Sequence, residues 1–284
     1  IPIIKVVRES LQGNNINEIM GIINGTTNFI LTKMSEEGRK FEDVLAEAQK
    51  LGYAEPDPTS DIEGYDAMYK LSILSTLAFH TRVRTSDIYR EGIINITPED
   101  IAFGKELGYT LKLLAIAKKH ENKIEARVHP TFISTEHPLA SVRDAYNAVF
   151  IKGDAVGNLM LYGRGAGDLP TGSAIVSDIV NACLHQSKHV YSTLCNGDWK
   201  PNEILFDNNW ETEFFIRMTV KDKPGVLARI AGIFGKYDVS ISSVIQKGRN
   251  SNHVPIIFVT HKAKEMSIKK AINEIKNEDI AIKI

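Results

Sequence analysis

The sequence predicts an α/β (α+β) chain of two domains. The first is a mixed, largely antiparallel sheet with helices on one face, and the second is a ferredoxin-like β-α-β-β-α-β module. Three observations carry this. Two pairs of β-patterned runs are each joined by a short polar turn, the mark of antiparallel hairpins. Segments with apolar residues at helical spacing lie before and between them. The stretch 212–284 alternates strand and helix patterns in the order a split βαβ fold requires. The expected division is 1–187, a linker over 188–211, and 212–284.

Taken in order, the chain opens on an amphipathic lead-in ending at Gly13, and Ile16–Ile23 reads as a strand. "GTTNFILTKMSEEG" reads as a turn and helix with Gly38 just past its end. Phe41, Val44, Leu45, Ala48 and Leu51 recur at helical intervals, and that helix closes on Gly52. A helix from Ser60 or Asp61 to about Phe79 follows, with Ser60 and Glu63 as a capping box. Thr97 and Pro98 fit an N-cap and first helical position. "TLKLLAIAKK", "HENK" and "IEARVHPTFIS" form one hairpin, and "NAVFIKGDAVGNLMLYG" forms another with its turn at Gly153-Asp154. "LPTGSAIVSDIVNACLHQ" is a helix with Thr171 near its start. Trp199 and Trp210 fall in the aperiodic linker.

Composition narrows the function classes. The 284 residues are 43% hydrophobic and 24% charged, an ordinary globular balance. A net charge of −1 gives no electrostatic reason to bind nucleic acid or an anionic membrane. No apolar run reaches the ~18 residues of a membrane span, and no signal-peptide pattern is visible. Cys183 and Cys195 form neither a disulfide framework nor a metal spacing, which suits reduced thiols in the cytoplasm. His80, His129, His137, His185 and His253 show no metal spacing either, and Lys5, Lys112 and Lys118 read as solvated.

The informative stretch is "LGYAEPDPTSDIEGYDAMYKLSIL", Leu51–Leu74. Pro56 and Pro58 enforce an extended approach to the helix. Glu63, Asp66 and Lys70 then lie three and four residues apart on one face, while Met68, Leu71, Leu74 and Ala78 turn to the core. The plain reading of Asp66 and Lys70 is a surface ion pair, and of Asp57 and Asp61 turn and cap chemistry. The sharper reading is a site for a small zwitterion bearing an alcohol or aldehyde. A carboxylate such as Glu55 would hold its ammonium, and Lys70 would donate a proton to its oxygen while Asp66 keeps the lysine oriented.

"NGTTNFIL" followed by "LGYAEPDPTSDIEGYDAMYKL", then "HPLASV" and "YGRGAGDLPTGSAIVSDIV", closely resembles homoserine dehydrogenase over about residues 1–187. The resemblance implies NAD- or NADP-dependent interconversion of L-homoserine and L-aspartate 4-semialdehyde, in the biosynthesis of threonine, isoleucine and methionine. It makes Lys70 the proton donor, Glu55 the carboxylate for the substrate amino group and Asp66 the acid beside the lysine. Gly25, Thr26, Tyr53 and Asp61 become lining of the amino-acid pocket, and Gly52, Gly163, Gly165 and Gly167 backbone near the nicotinamide. The family's monovalent-cation residues fall upstream of Ile1, so no metal ligand is assigned.

One family feature is missing from the sequence. No strand–GxGxxG–helix unit with a following acid is present, and "GRGAG" at 163–167 lacks the βαβ frame. The expectation is a catalytic and regulatory portion without its nucleotide-binding half, poorly active or inactive alone. Residues 163–187 would return to pack on that half. "VKDKPGVLARIAGIFGKYDVSISSVIQ" resembles the ACT regulatory motif, with Gly225, Val226 and Leu227 offering free N–H groups to an amino-acid effector, threonine first. A homodimer paired through the sheet is expected. The competing reading is an amino-acid-sensing module without catalysis.

Overall fold

In the computed structural model the described residues are 1–184, 205–246, 253–278 and 280–284. The chain divides into two units, Ile1–Phe206 and Asp207–Ile284. Trp199, Cys195 and most of the expected linker lie outside the described residues.

The first unit opens with α1 (Ile3–Lys5), which runs on into a wider helical turn, Val6–Ser10. Strand β1 (Ile16–Ile22) leads into helix α2 (Gly25–Glu37). Gly38, at φ 66°, ends α2 in the left-handed conformation that glycine adopts without penalty. Helix α3 (Phe41–Lys50) buries Phe41, Val44 and Ala48, as the spacing requires. After α4 (Thr59–Ile62) and α5 (Tyr65–Phe79) come the two-residue β2 (Tyr89–Arg90) and α6 (Pro98–Glu106). Thr97 caps α6 reciprocally with Asp100. The hairpins are β3 (Tyr109–His120) with β4 (Lys123–Ser134), and β5 (Tyr146–Gly153) with β6 (Gly157–Arg164). Helix α7 (Asp168–Leu184) follows, and β7 (Leu205–Phe206) joins β4.

These strands make a seven-stranded sheet in the order β2-β4-β3-β1-β5-β6, with β7 also on β4. Only the two-residue strands β2 and β7 run parallel to β4; the long ladders are antiparallel. Strand β3 is buried on both faces. Leu111, Leu113, Ala115 and Ala117 join the core under the helices, and Leu114 and Ile116 join Ile22, Leu139 and Ala148 in a smaller cluster. Lys112 is therefore not solvated. It is 3% exposed and donates to Asn28 Oδ1 and the Val142 carbonyl. Burial, reinforced by nearby Arg143, pushes its pKa down to about 8. His129 on β4 is half-buried, and loss of water around its ring pushes its pKa down to about 4.

The helix expected from Ser60 to Phe79 is broken. Gly64 takes φ 83°, separating α4 from α5. No Ser60–Glu63 capping box forms; the Asp57 carboxylate instead accepts from the N–H and hydroxyl of Thr59. Glu63 turns away from Lys70 and pairs with Arg90, whose guanidinium lies over the Tyr65 ring. The break is seated on Gly92, where any side chain would strike the Ile62 carbonyl and the Glu63 backbone.

The second unit holds β8 (Glu211–Thr212), β9 (Phe215–Lys221), α8 (Val226–Lys236), β10 (Ile241–Gln246), β11 (His253–Thr260), β12 (Ala263–Lys264), α9 (Glu265–Asn277) and β13 (Ala281–Lys283). Its antiparallel sheet has the order β10-β11-β9-β13, and the short β12 and β8 pair separately. Apart from that short pair, the elements follow the β-α-β-β-α-β order of the ferredoxin-like module. Met218, Ile230, Phe234, Ile256, Phe258, Ala271 and Ile275 form its core. Trp210, buried at the start of this unit, accepts from the Glu265 N–H through its carbonyl.

Candidate functional site

The site lies where β1 passes into α2, opposite the α4–α5 break. Asn24 caps α2, its Oδ1 accepting from the N–H and hydroxyl of Thr27. Its Nδ2 donates to Asp61 Oδ1 at 2.7 Å and to Asp66 Oδ2 at 2.9 Å. Lys70, one turn along α5 from Asp66, donates to the same Asp66 oxygen at 2.6 Å and to the Ile23 carbonyl at 3.1 Å. An ammonium has three protons, so one is left over. The Lys70 side chain is 48% exposed, which leaves that proton accessible to a ligand.

The loop after α3 reaches the start of α2. Thr26 Oγ1 donates to the Tyr53 carbonyl at 2.6 Å, and the Tyr53 ring lies 4.9 Å from that of Phe29. The N–H groups of Gly25 and Thr26, unlike that of Thr27, are first-turn donors with no partner within the helix, a natural place for a carboxylate. Glu55 is exposed, with no bond joining its carboxylate to the Asp61–Asp66 group among the described residues. Its backbone carbonyl is held by Gln49 at 3.1 Å. Asp61 and Asp66 thus meet on one amide, while Glu55 stands apart on the Tyr53 loop.

The glycines differ from one another. Gly52 has φ 77° with open space where a side chain would stand. Gly167, at φ 123°, has only Pro170 nearby, and Gly163 has only Ile1 at 3.7 Å. Gly165 is different, because a Cβ there would collide with the Asn147 side chain. A Cβ on Gly25 would come within 2.9 Å of the Ala145 carbonyl. Gly52 faces open space and Gly163 ordinary contact with Ile1, whereas Gly165 and Gly25 are required by internal packing.

Sequence reasoning missed Asn24 and Asn147. Asn147 is 9% exposed, and among the described residues its buried Oδ1 has no hydrogen-bond partner. Asn24 carries a local signal, since Asn before a helix start is a cap, but nothing in the spacing says that its amide also reaches two aspartates.

In the second unit, Val220–Leu227, Gln246 and Ile256 line a groove of about 370 Å³ at the start of α8. Gly225 has φ 90°. Of the three donors expected there, Val226 N–H is engaged by the Lys223 carbonyl at 3.4 Å.

A family model described as homoserine dehydrogenase matches residues 2–180, and one described as ACT domain matches residues 214–279. Homoserine dehydrogenase of Corynebacterium glutamicum is 42% identical, over 99% of this chain and 64% of its own length. That of Pseudomonas aeruginosa is 43% identical, over 96% of this chain and 64% of its own. The solved structure of a homoserine dehydrogenase from Thiobacillus denitrificans matches at a TM-score of 0.92 and 45% identity, covering 99% of this chain and 65% of that one. A hyperthermophilic archaeal homoserine dehydrogenase mutant in complex with NADPH matches at 0.55 and 36% identity, covering 64% of this chain and 52% of the other. The chain spans a little under two thirds of the length of these curated relatives.

Proposed function

Because the chain belongs to the homoserine dehydrogenase family, we propose that it is the catalytic and regulatory portion of a cytoplasmic enzyme that interconverts L-homoserine and L-aspartate 4-semialdehyde with NAD or NADP. The observation that carries this is Lys70. Two of its protons are fixed by Asp66 and the Ile23 carbonyl, and a third is left for a substrate oxygen.

In the reductive direction the semialdehyde carboxylate meets the first N–H groups of α2 at Gly25 and Thr26, beside Tyr53. Its ammonium meets Glu55 and the Asp61 and Asp66 oxygens left unbonded among the described residues. When bound, the nicotinamide would supply a hydride for the aldehyde carbon, and the backbone at Gly52, Gly163, Gly165 and Gly167 would stand on its side. As charge builds on the oxygen, Lys70 passes it a proton, and the amine left behind stays tied to Asp66. Oxidation of homoserine runs the same steps in reverse.

The rest of the relatives' length would supply the dinucleotide site, and α7 supports that reading. Ile175, Val176, Ile179 and Val180 lie on it at helical spacing, each more than half exposed, an apolar stripe suited to packing on the nucleotide-binding portion. The groove at Gly225, Val226 and Leu227 would take the carboxylate of an amino-acid effector such as threonine, and a homodimer would pair through the sheet of the first unit. Steady-state reduction of the semialdehyde with NADPH, with and without threonine, tests both halves. The full-length protein that carries this chain should turn over and respond to threonine, while these 284 residues alone turn over poorly. A full-length protein that reduces no semialdehyde would favour a sensing module without catalysis.

A further inference from the structure

We propose that Asn24 is a positioning residue, the strut that assembles Asp61, Asp66 and Lys70 into one acceptor-and-donor group. This rests on the reading of that group as the homoserine site.

Asn24 is 5% exposed, and each of its hydrogen-bonding positions is used. Its Oδ1 accepts twice from Thr27, and its Nδ2 gives one proton to Asp61 and the other to Asp66. Capping alone does not explain an amide here, because Ser, Thr or Asp caps a helix equally well. Serine and threonine are too short to reach two carboxylates, and aspartate would add a third negative charge beside them. Only an amide of this length both accepts from the helix start and donates to the acids.

The aspartates cannot meet unaided. Five residues along an unbroken helix would set Asp61 and Asp66 about 140° apart around its axis. The left-handed Gly64 breaks that helix, and the Asn24 amide fixes the result. Each carboxylate spends one oxygen on the strut. Among the described residues Asp61 Oδ2 and Asp66 Oδ1 make no hydrogen bond, which leaves two acceptors held at a set spacing beside the Lys70 ammonium. Such an arrangement selects a substrate carrying an ammonium and an oxygen on neighbouring parts of a short chain.

The test is Asn24→Ser in the full-length protein that carries this chain, because serine keeps the helix cap and removes both amide protons. We expect kcat/KM for homoserine to fall about a hundredfold, the cost of a displacement of about 1 Å in the groups that position the substrate. The melting temperature should fall with the two part-buried hydrogen bonds while the cofactor KM stays near that of the parent, a split between homoserine and cofactor that a merely structural loss would not give. An unchanged kcat/KM, in a protein whose Lys70→Met variant has lost turnover, overturns the strut. If Lys70→Met retains turnover, the catalytic reading fails by itself, and the structure of Asn24→Ser decides the strut separately. An Asp61 carboxylate turned away from Asp66 upholds it, and both carboxylates in their parent positions overturn it.

Discussion

Two lysine–carboxylate pairs in the first unit share one helical spacing and nearly one distance. Asp66 and Lys70 on α5 lie 2.6 Å apart, and Lys33 and Glu37 on α2 lie 2.7 Å apart. As isolated pairs they could not be told apart. The difference lies in what a second element adds. Among the described residues Glu37 pairs, besides Lys33, only with Arg39 just past the end of α2. Its hydrogen bond raises the Lys33 pKa, and the two lysine and arginine partners lower that of Glu37, as in any solvated pair. Asp66 is also held by Asn24 at the start of α2, and Lys70 by the Ile23 carbonyl just past β1. A pair becomes a tool when a neighbouring strand and loop use up some of its valences and leave the others free.

The largest effect that separates the pairs is catalytic. Lys70→Met in the full-length protein should lower kcat for semialdehyde reduction by about 10²–10⁴, the usual worth of a positioned acid. Lys33→Met should leave kcat unchanged, since among the described residues neither Lys33 nor Glu37 bonds to the Asn24–Asp61–Asp66–Lys70 group. Steady-state rates of the two variants, each checked for a parent-like circular dichroism spectrum, decide the matter. Equal losses would mean that the spacing alone, and not its setting, was read correctly.

The sequence carried the elements well and their junctions poorly. The two hairpins, the Gly38 stop and the Thr97 cap were legible because each depends on residues close in sequence. The α4–α5 break was not, although Gly64 is visible in "DIEGYD", because an isolated glycine in a helical pattern is usually tolerated. What accommodates and holds the break is Gly92 and Arg90, more than 25 residues away. At the site, Asp66 and Lys70 were legible from spacing, and the family motif pointed to Glu55. Asn24 was not, because its partners come from another segment of chain. Lys112 was misread as solvated. Its neighbours Leu111 and Leu113–Ala117 form a continuous apolar run, the pattern of a strand buried on both faces, and that was the signal to use.

Lys112 sharpens the comparison from the other side, as a lysine whose surroundings oppose its charge. Its pKa falls from 10.5 to about 8 on folding, mainly through burial, with Arg143 opposing and Glu36 and Asp144 favouring the charge. Below pH 8 the lysine is protonated in both folded and unfolded chains, and the cost of burying the charge is constant. Between about 8 and 10.5 the unfolded chain binds more protons, so this residue makes folding more favourable as pH rises, by about 3 kcal/mol across the window. Lys112→Met should lose that increment. Denaturant melts of parent and variant at pH 8 and pH 10.5 isolate it as the difference between their pH dependences. Parallel dependences would show that the folded chain leaves the Lys112 pKa near its unfolded value, as for a solvated lysine.

The smallest effect concerns two glycines. Gly38 and Gly64 are both left-handed, at φ 66° and 83°, so alanine at either should cost about 1–2 kcal/mol of stability through backbone strain alone. Their settings differ as those of the two ion pairs do. A Cβ on Gly38 meets open space, while one on Gly64 comes 3.4 Å from Val128 Cγ1, within reach of slight adjustment. Gly38→Ala should therefore shift the denaturation midpoint and leave kcat/KM for homoserine alone. Gly64→Ala should shift the midpoint by a similar amount and also lower kcat/KM, because any move of the break toward regular helix carries Asp61 away from Asp66 and off the Asn24 amide. If the two variants lose equal stability and neither loses activity, the break serves the packing of α4 and α5, and the convergence of the aspartates does not depend on it.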